Sequence, residues 1–227
     1  MNAGGHIAVL AAAGVGPGDA ASRSRLLGAA LPDLAAMGRF RLLGRTDDPA
    51  VTAGIRFHHR TDDAFHHHPW FHHRHRRLAA ALDDAGLGRG AARACSHVGI
   101  ELLLDGELLT LAPVAAATDG AFDAITDVAR ALDGLVASDH RPRWREHLDL
   151  LADHRLPRDY DDPGAVAARL HRILTRRPRL AFDATHIATL AQHLALAQDD
   201  IAATGPALVA ELAARLAPLD AGTPRRP

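Results

Sequence analysis

The chain has 227 residues, enough to bury a substantial core, and carries 26 basic against 27 acidic residues for a net charge of −1. Every basic residue is arginine, and the near balance of charge argues against general nucleic-acid binding. Cys95 is the only cysteine, so no disulfide can form within the chain. No apolar run approaches bilayer length, and no basic segment followed by a long apolar core opens the sequence, so a cytoplasmic protein without a membrane partner is expected.

Alanine and leucine dominate, aromatic residues make up 4%, and β-branched residues are sparse, which predicts an all-α fold of closely packed helices. A single domain over residues 1–217 is expected, with a disordered tail over 218–227. Asn2 to Ala13 is a short apolar segment with His6 near its start. The glycines at 14, 16 and 18 lack dinucleotide-fingerprint spacing and read as a surface loop. Leu26 to Met37 is apolar but holds Asp33 after Pro32, which reads either as the cap of a helix starting there or as a carboxylate that needs a partner or cation. Phe40 to Ala50 reads as a loop, with Asp47, Asp48 and Pro49 setting up the next helix. That helix is predicted over Ile55 to His67, with a break at His68 to Trp70 imposed by Pro69 and a further helix over Phe71 to Ala85. Helices follow over 91–104, 119–136, 143–154 and 164–175. The stretch TRRPRL interrupts the pattern, and 182–216 is either one long helix or a pair broken at Gly205 and Pro206.

Half of the sixteen histidines fall between His58 and His75, beside Asp62 and Asp63. On a helix His58, Asp62 and His66 rise one turn apart on one face, within an apolar frame of Val51, Ile55, Phe57 and Phe65. An imidazole and a carboxylate so placed suit manganese, iron, zinc or magnesium better than a closed structural zinc site. The runs at 66–68 and 72–75 also fit a solvated face, a reading that composition alone leaves open. On the 91–104 helix His97, Glu101 and Asp105 recur at four-residue spacing. His97 alone fits a hydrogen-bonded core histidine, whereas its alignment with Glu101 favours a site, because a carboxylate is seldom buried without a partner.

Taken together these segments resemble the acyl carrier protein phosphodiesterases, also called acyl carrier protein hydrolases. The resemblance begins at Met1, Asn2 and His6 and continues through LLGAALPDL with Asp33. It is strongest in VTAGIRFHHRTD, at Val51, Gly54, Ile55, His58, Arg60 and Asp62, and returns in RRPRL at 176–180. It implies a helical bundle similar to the metal-dependent HD phosphohydrolases, with Asp33, His58 and Asp62 at or near a divalent ion and His6 close by. It also implies hydrolysis of the phosphodiester joining 4′-phosphopantetheine to a serine of the carrier protein, typically with manganese. Where the family carries a W-D-H-F-L segment, this chain has Ser96 to Glu101, which sets His97 near the ligand expected there.

On this reading Asp33, His58, Asp62 and His97 hold one or two ions and His6 or Glu101 handles protons. Arg60 steadies the phosphate with its guanidinium fork, an ordinary surface ion pair being its other reading. Arginines 74, 76 and 77, or 176, 177 and 179, supply a docking surface for an acidic carrier protein. Two other functions fit the same residues: an HD-type phosphohydrolase of nucleotides or other small phosphorylated molecules, and a non-catalytic histidine-rich metal-binding protein.

Overall fold

The computed structural model describes residues 1–43 and 45–220, the last three of these by backbone alone. Among them every regular element is helical, as the composition predicts. In chain order the α-helices are α1 (Ala3–Ala12), α2 (Ala20–Met37), α3 (Pro49–His66), α4 (Pro69–Asp84), α5 (Arg89–Leu109), α6 (Ala112–Leu132), α7 (Arg141–His154), α8 (Pro163–Leu174) and α9 (Ile187–Asp220). No helix among the described residues is long and apolar enough to cross a membrane.

The chain divides into two compact units. One, here the His58 unit, comprises residues 2–64, 109–157 and the chain from 209 onward; the other, the His97 unit, comprises Met1, 65–108 and 158–208.

In the His58 unit α1, α2 and α6 pack on one another and α7 packs on α6. Helix α1 is apolar apart from His6 and is buried all round from Ala3 to Leu10, with Ile7, Val9 and Leu10 sealed from solvent. The Asn2 side chain caps it by accepting from the Ala3 N–H at 2.9 Å. Gly14, at φ +96°, closes it: the Gly14 and Val15 N–H groups donate to Ala11 and Leu10 carbonyls, a Schellman ending that a left-handed residue makes possible. The first glycine of the loop is thus a helix stop. Asp19 starts α2 by accepting from the Ser22 N–H.

Helix α2 runs straight through Pro32, so Asp33 lies inside a helix and does not cap one. Proline removes one N–H, and the Gly28 carbonyl therefore loses its partner four residues on. Gly28 is also where α3 crosses. A Cβ on Gly28 would lie 2.3 Å from the Val51 carbonyl oxygen, and one on Gly54 would lie 2.2 Å from the Arg25 carbonyl oxygen. The two helices touch backbone to backbone at a pair of glycines.

Helix α3 begins where Asp48 Oδ1 accepts from the Ala50 and Val51 N–H groups, with Pro49 at its first position. It ends at His66. His68 then caps α4 by accepting from the Trp70 N–H at 3.1 Å, with Pro69 in the first turn, so the break falls where Pro69 predicts it.

In the His97 unit α5 is crowded from two sides. A Cβ on Gly99 would meet Leu194 at 2.8 Å and Leu170 at 3.4 Å, and one on Gly106 would meet Tyr160 backbone at 2.3 Å. Helix α9 is a single helix of 34 residues that contains Gly205 and Pro206, so no pair of helices forms there. A Cβ on Gly205 would lie 2.7 Å from Leu104, and this close packing holds the segment helical despite its composition. The helix reaches Asp220 and takes in the first residues of the expected tail; 221–227 lie outside the described residues.

Candidate metal centre

The backbone contact between Gly28 and Gly54 brings His58, one turn beyond Gly54, onto the carbonyl next to Gly28. His58 Nδ1–H donates to the Ala29 carbonyl oxygen at 2.9 Å. A carbonyl only accepts, so the proton sits on Nδ1 and the neutral ring keeps a lone pair on Nε2. Such a bond to the far nitrogen is how ligating histidines are oriented. Burial pushes the His58 pKa down to about 4, with the Ala29 bond and the Asp62 carboxylate opposing the fall, so the ring is neutral near pH 7.

Three further groups gather at this ring. The His6 imidazole, from α1, lies 3.9 Å from it between centroids, tilted by 35°. His6 Nε2 stands 3.8 Å from Asp33 Oδ2 of α2 and 3.8 Å from Asp62 Oδ1 of α3. The ligand atoms of His6, His58 and Asp62 lie within 4.8 Å of one another. His6, expected to handle protons, has its side chain sealed from solvent beside two carboxylates, and its ligand atom stands among those able to hold a metal. Asp33 and Asp62 are 27% and 39% exposed and form the open side.

The donor set fits a divalent cation. Two carboxylates beside two buried imidazoles repel each other, and a cation between them offsets that repulsion. Two nitrogens and one or two carboxylate oxygens suit manganese, iron or zinc.

Arg60 stands apart from this set. It lies two positions from both His58 and Asp62, about 200° round the helix, so it belongs to a different face of α3. Its guanidinium lies 6.0 Å from the Phe57 ring centroid, and burial followed by repulsion from Arg25 and Arg56 lowers its pKa.

His97 and Glu101 form a second group, in the His97 unit, so six of the seven expected residues fall into two clusters and Arg60 into neither. His66 Nε2–H donates to Glu101 Oε1 at 2.8 Å, and His97 Nε2 is 3.3 Å from the same oxygen. The Met1 ammonium donates to it as well, at 2.8 Å. Burial alone would push Glu101 up, but the ammonium and the two imidazoles hold its carboxyl well below the usual carboxylate range. Glu101 is therefore a fixed charge engaged by three donors, and the proton role expected of it does not suit that setting. His66, His97 and Glu101 form a second set able to hold a metal.

His66 is the residue that sequence reasoning left among the solvated histidines. The signal was its place four residues after Asp62, on the face already marked by His58. His68 caps a helix and His75 Nδ1 bonds Ser96 Oγ at 2.8 Å, whereas His67, His72 and His73 are exposed as a solvated run should be.

The burial of His58 predicts a pH dependence of stability in the metal-free protein. A histidine titrates near 6.5 when unfolded and His58 near 4 when folded, so the folded chain binds fewer protons between those values. The contribution is complete above pH 6.5 and is lost as the pH falls toward 4, by about 3 kcal/mol at most. Urea unfolding in chelator at pH 7 and pH 4.5 measures it: His58→Gln should lose less stability than the wild type across that interval.

No protein-family model, no curated protein and no solved structure matches this chain.

Proposed function

We propose that the chain is a metal-dependent phosphodiester hydrolase and that its substrate is a holo-acyl carrier protein, cut at the 4′-phosphopantetheine–serine phosphodiester. The observation that carries the reaction class is the convergence of His6, His58 and Asp62, with His58 held by Ala29 in the tautomer that offers Nε2. The resemblance of the segments around His6, Asp33 and His58 to the carrier-protein phosphodiesterases supports the substrate.

His6, His58 and Asp62 would hold a divalent cation, manganese by the resemblance, which would neutralise charge on a phosphodiester and lower the pKa of water toward neutrality. The chain's own part is positional. His58 is fixed by the Ala29 carbonyl, His6 by its burial against His58, and Asp62 by the same helix face one turn on. Asp33 and Asp62 are the groups of the cluster open to solvent, so the proton of an attacking water has an acceptor on that side. Arg176, Arg177 and Arg179 are exposed and offer an acidic carrier protein a basic surface. Arg74 is engaged elsewhere, with Asp200 at 2.8 Å and over the Trp70 ring.

Incubating manganese-loaded protein with holo-carrier protein and weighing the carrier by mass spectrometry tests the proposal. Conversion to the apo carrier is expected. A carrier of unchanged mass, with bis(p-nitrophenyl) phosphate also intact, contradicts the hydrolase. Cleavage of the small ester alone moves the substrate to a small phosphorylated molecule.

A further inference from the structure

We infer that the His97 unit carries a second cation site of its own, formed by His66, His97 and Glu101, and that it takes a borderline divalent metal such as zinc or cobalt. This rests on geometry independent of the His58 cluster and goes beyond the hydrolase reading.

Two imidazoles from different helices aim their Nε2 atoms at one carboxylate oxygen, at 2.8 and 3.3 Å. Their rings stack, with centroids 5.0 Å apart and an interplanar angle of 22°. A structural ion pair needs one histidine. Two stacked rings that share an acceptor with the Met1 ammonium, 2.8 Å from the same oxygen, repel when both are charged, and a divalent cation taking the ammonium's place resolves this through the Nε2 lone pairs of two neutral rings. The three ligand atoms lie within 4.8 Å of one another, so small side-chain rotations bring each to roughly 2.1 Å from a common centre.

The site is also held in shape. Phe71 meets His66 and His97 edge to face, at 5.1 and 5.0 Å, and Phe65 meets His66 at 5.3 Å. The opening lies on the His97 side, where the side chain is 41% exposed while Glu101 is 12% exposed. Two nitrogens and one oxygen favour zinc, cobalt or nickel over magnesium or calcium, which prefer oxygen alone.

Cobalt(II) is the probe. The full chain is titrated with it and followed by visible d–d absorption and by bound equivalents after dialysis, in the wild type, His58→Ala, His97→Ala and Glu101→Gln. Circular dichroism checks each fold, and His97, being half-exposed, is the substitution least able to disturb it. The expected result is two equivalents in the wild type, with His97→Ala and Glu101→Gln each weakening one of them at least tenfold and changing its spectrum. His58→Ala leaves that one in place. A wild type that binds no cobalt, or one whose bound equivalents are all indifferent to His97→Ala and Glu101→Gln, overturns the inference. If the only equivalent is lost in His58→Ala, the second site is gone while the hydrolase reading stands. If the only equivalent is lost in His97→Ala, the second site stands and the hydrolase reading fails.

Discussion

Replacing His58 with alanine is expected to lower the rate of phosphodiester hydrolysis by about 10³-fold or more, with the fold intact. Loss of a cation's charge stabilisation removes several kcal/mol from the transition state, and each 1.36 kcal/mol is a factor of ten. His58 is the residue through which that loss is clearest, because its Nδ1 proton is committed to the Ala29 carbonyl, its Nε2 keeps the lone pair, and its ring packs on His6. Single-turnover assays at saturating manganese measure the effect. His59→Ala, one residue along and exposed, is the control and should retain activity. A His58→Ala enzyme within threefold of the wild type would mean that the reaction is carried elsewhere.

The second large effect falls on a residue that touches no ligand. Gly54→Ala sets a methyl carbon 2.2 Å from the Arg25 carbonyl oxygen and 2.7 Å from the Ala29 nitrogen, both backbone atoms that cannot swing aside. Helix α3 must then move away from α2. The overpacking is expected to cost about 3 kcal/mol or more, measured by urea unfolding. It should also lengthen the bond from His58 to Ala29, so that metal affinity falls together with stability. The reciprocal Gly28→Ala, which meets the Val51 carbonyl oxygen at 2.3 Å, should behave alike. Full stability in either variant would contradict the close crossing on which the centre depends.

These two residues also mark how much of the site was legible beforehand. The alignment of His58 with Asp62 follows from a four-residue spacing, which any helix converts into a shared face. Gly54 stands one turn earlier, yet nothing in a spacing rule reveals which backbone it must approach. Asp33 was visible as a carboxylate in apolar surroundings. Of its two readings the cap falls away, because Pro32 usually opens a helix and here α2 carries it in the middle. Pro206 in α9 repeats that lesson, since packing at Gly205 against Leu104 outweighs local propensity.

Convergence was the harder matter. His97 and Glu101 declared themselves as a pair by periodicity, but periodicity cannot say which third group completes them. That group is His66, which lies in a histidine run whose other members are exposed or cap a helix. Asp33, His58, Asp62 and His97 were expected to hold one or two ions together; the described residues form two trios able to hold a metal, one from His6, His58 and Asp62 and one from His66, His97 and Glu101.

The most direct measurement is diffraction from manganese-soaked crystals of the full chain, with data at the metal's absorption edge. An anomalous peak bound by His6, His58 and Asp62, absent from crystals of His58→Ala, is the predicted result. Peaks confined to the exposed histidines at 67, 72 and 73, with none among His6, His58 and Asp62, would contradict it.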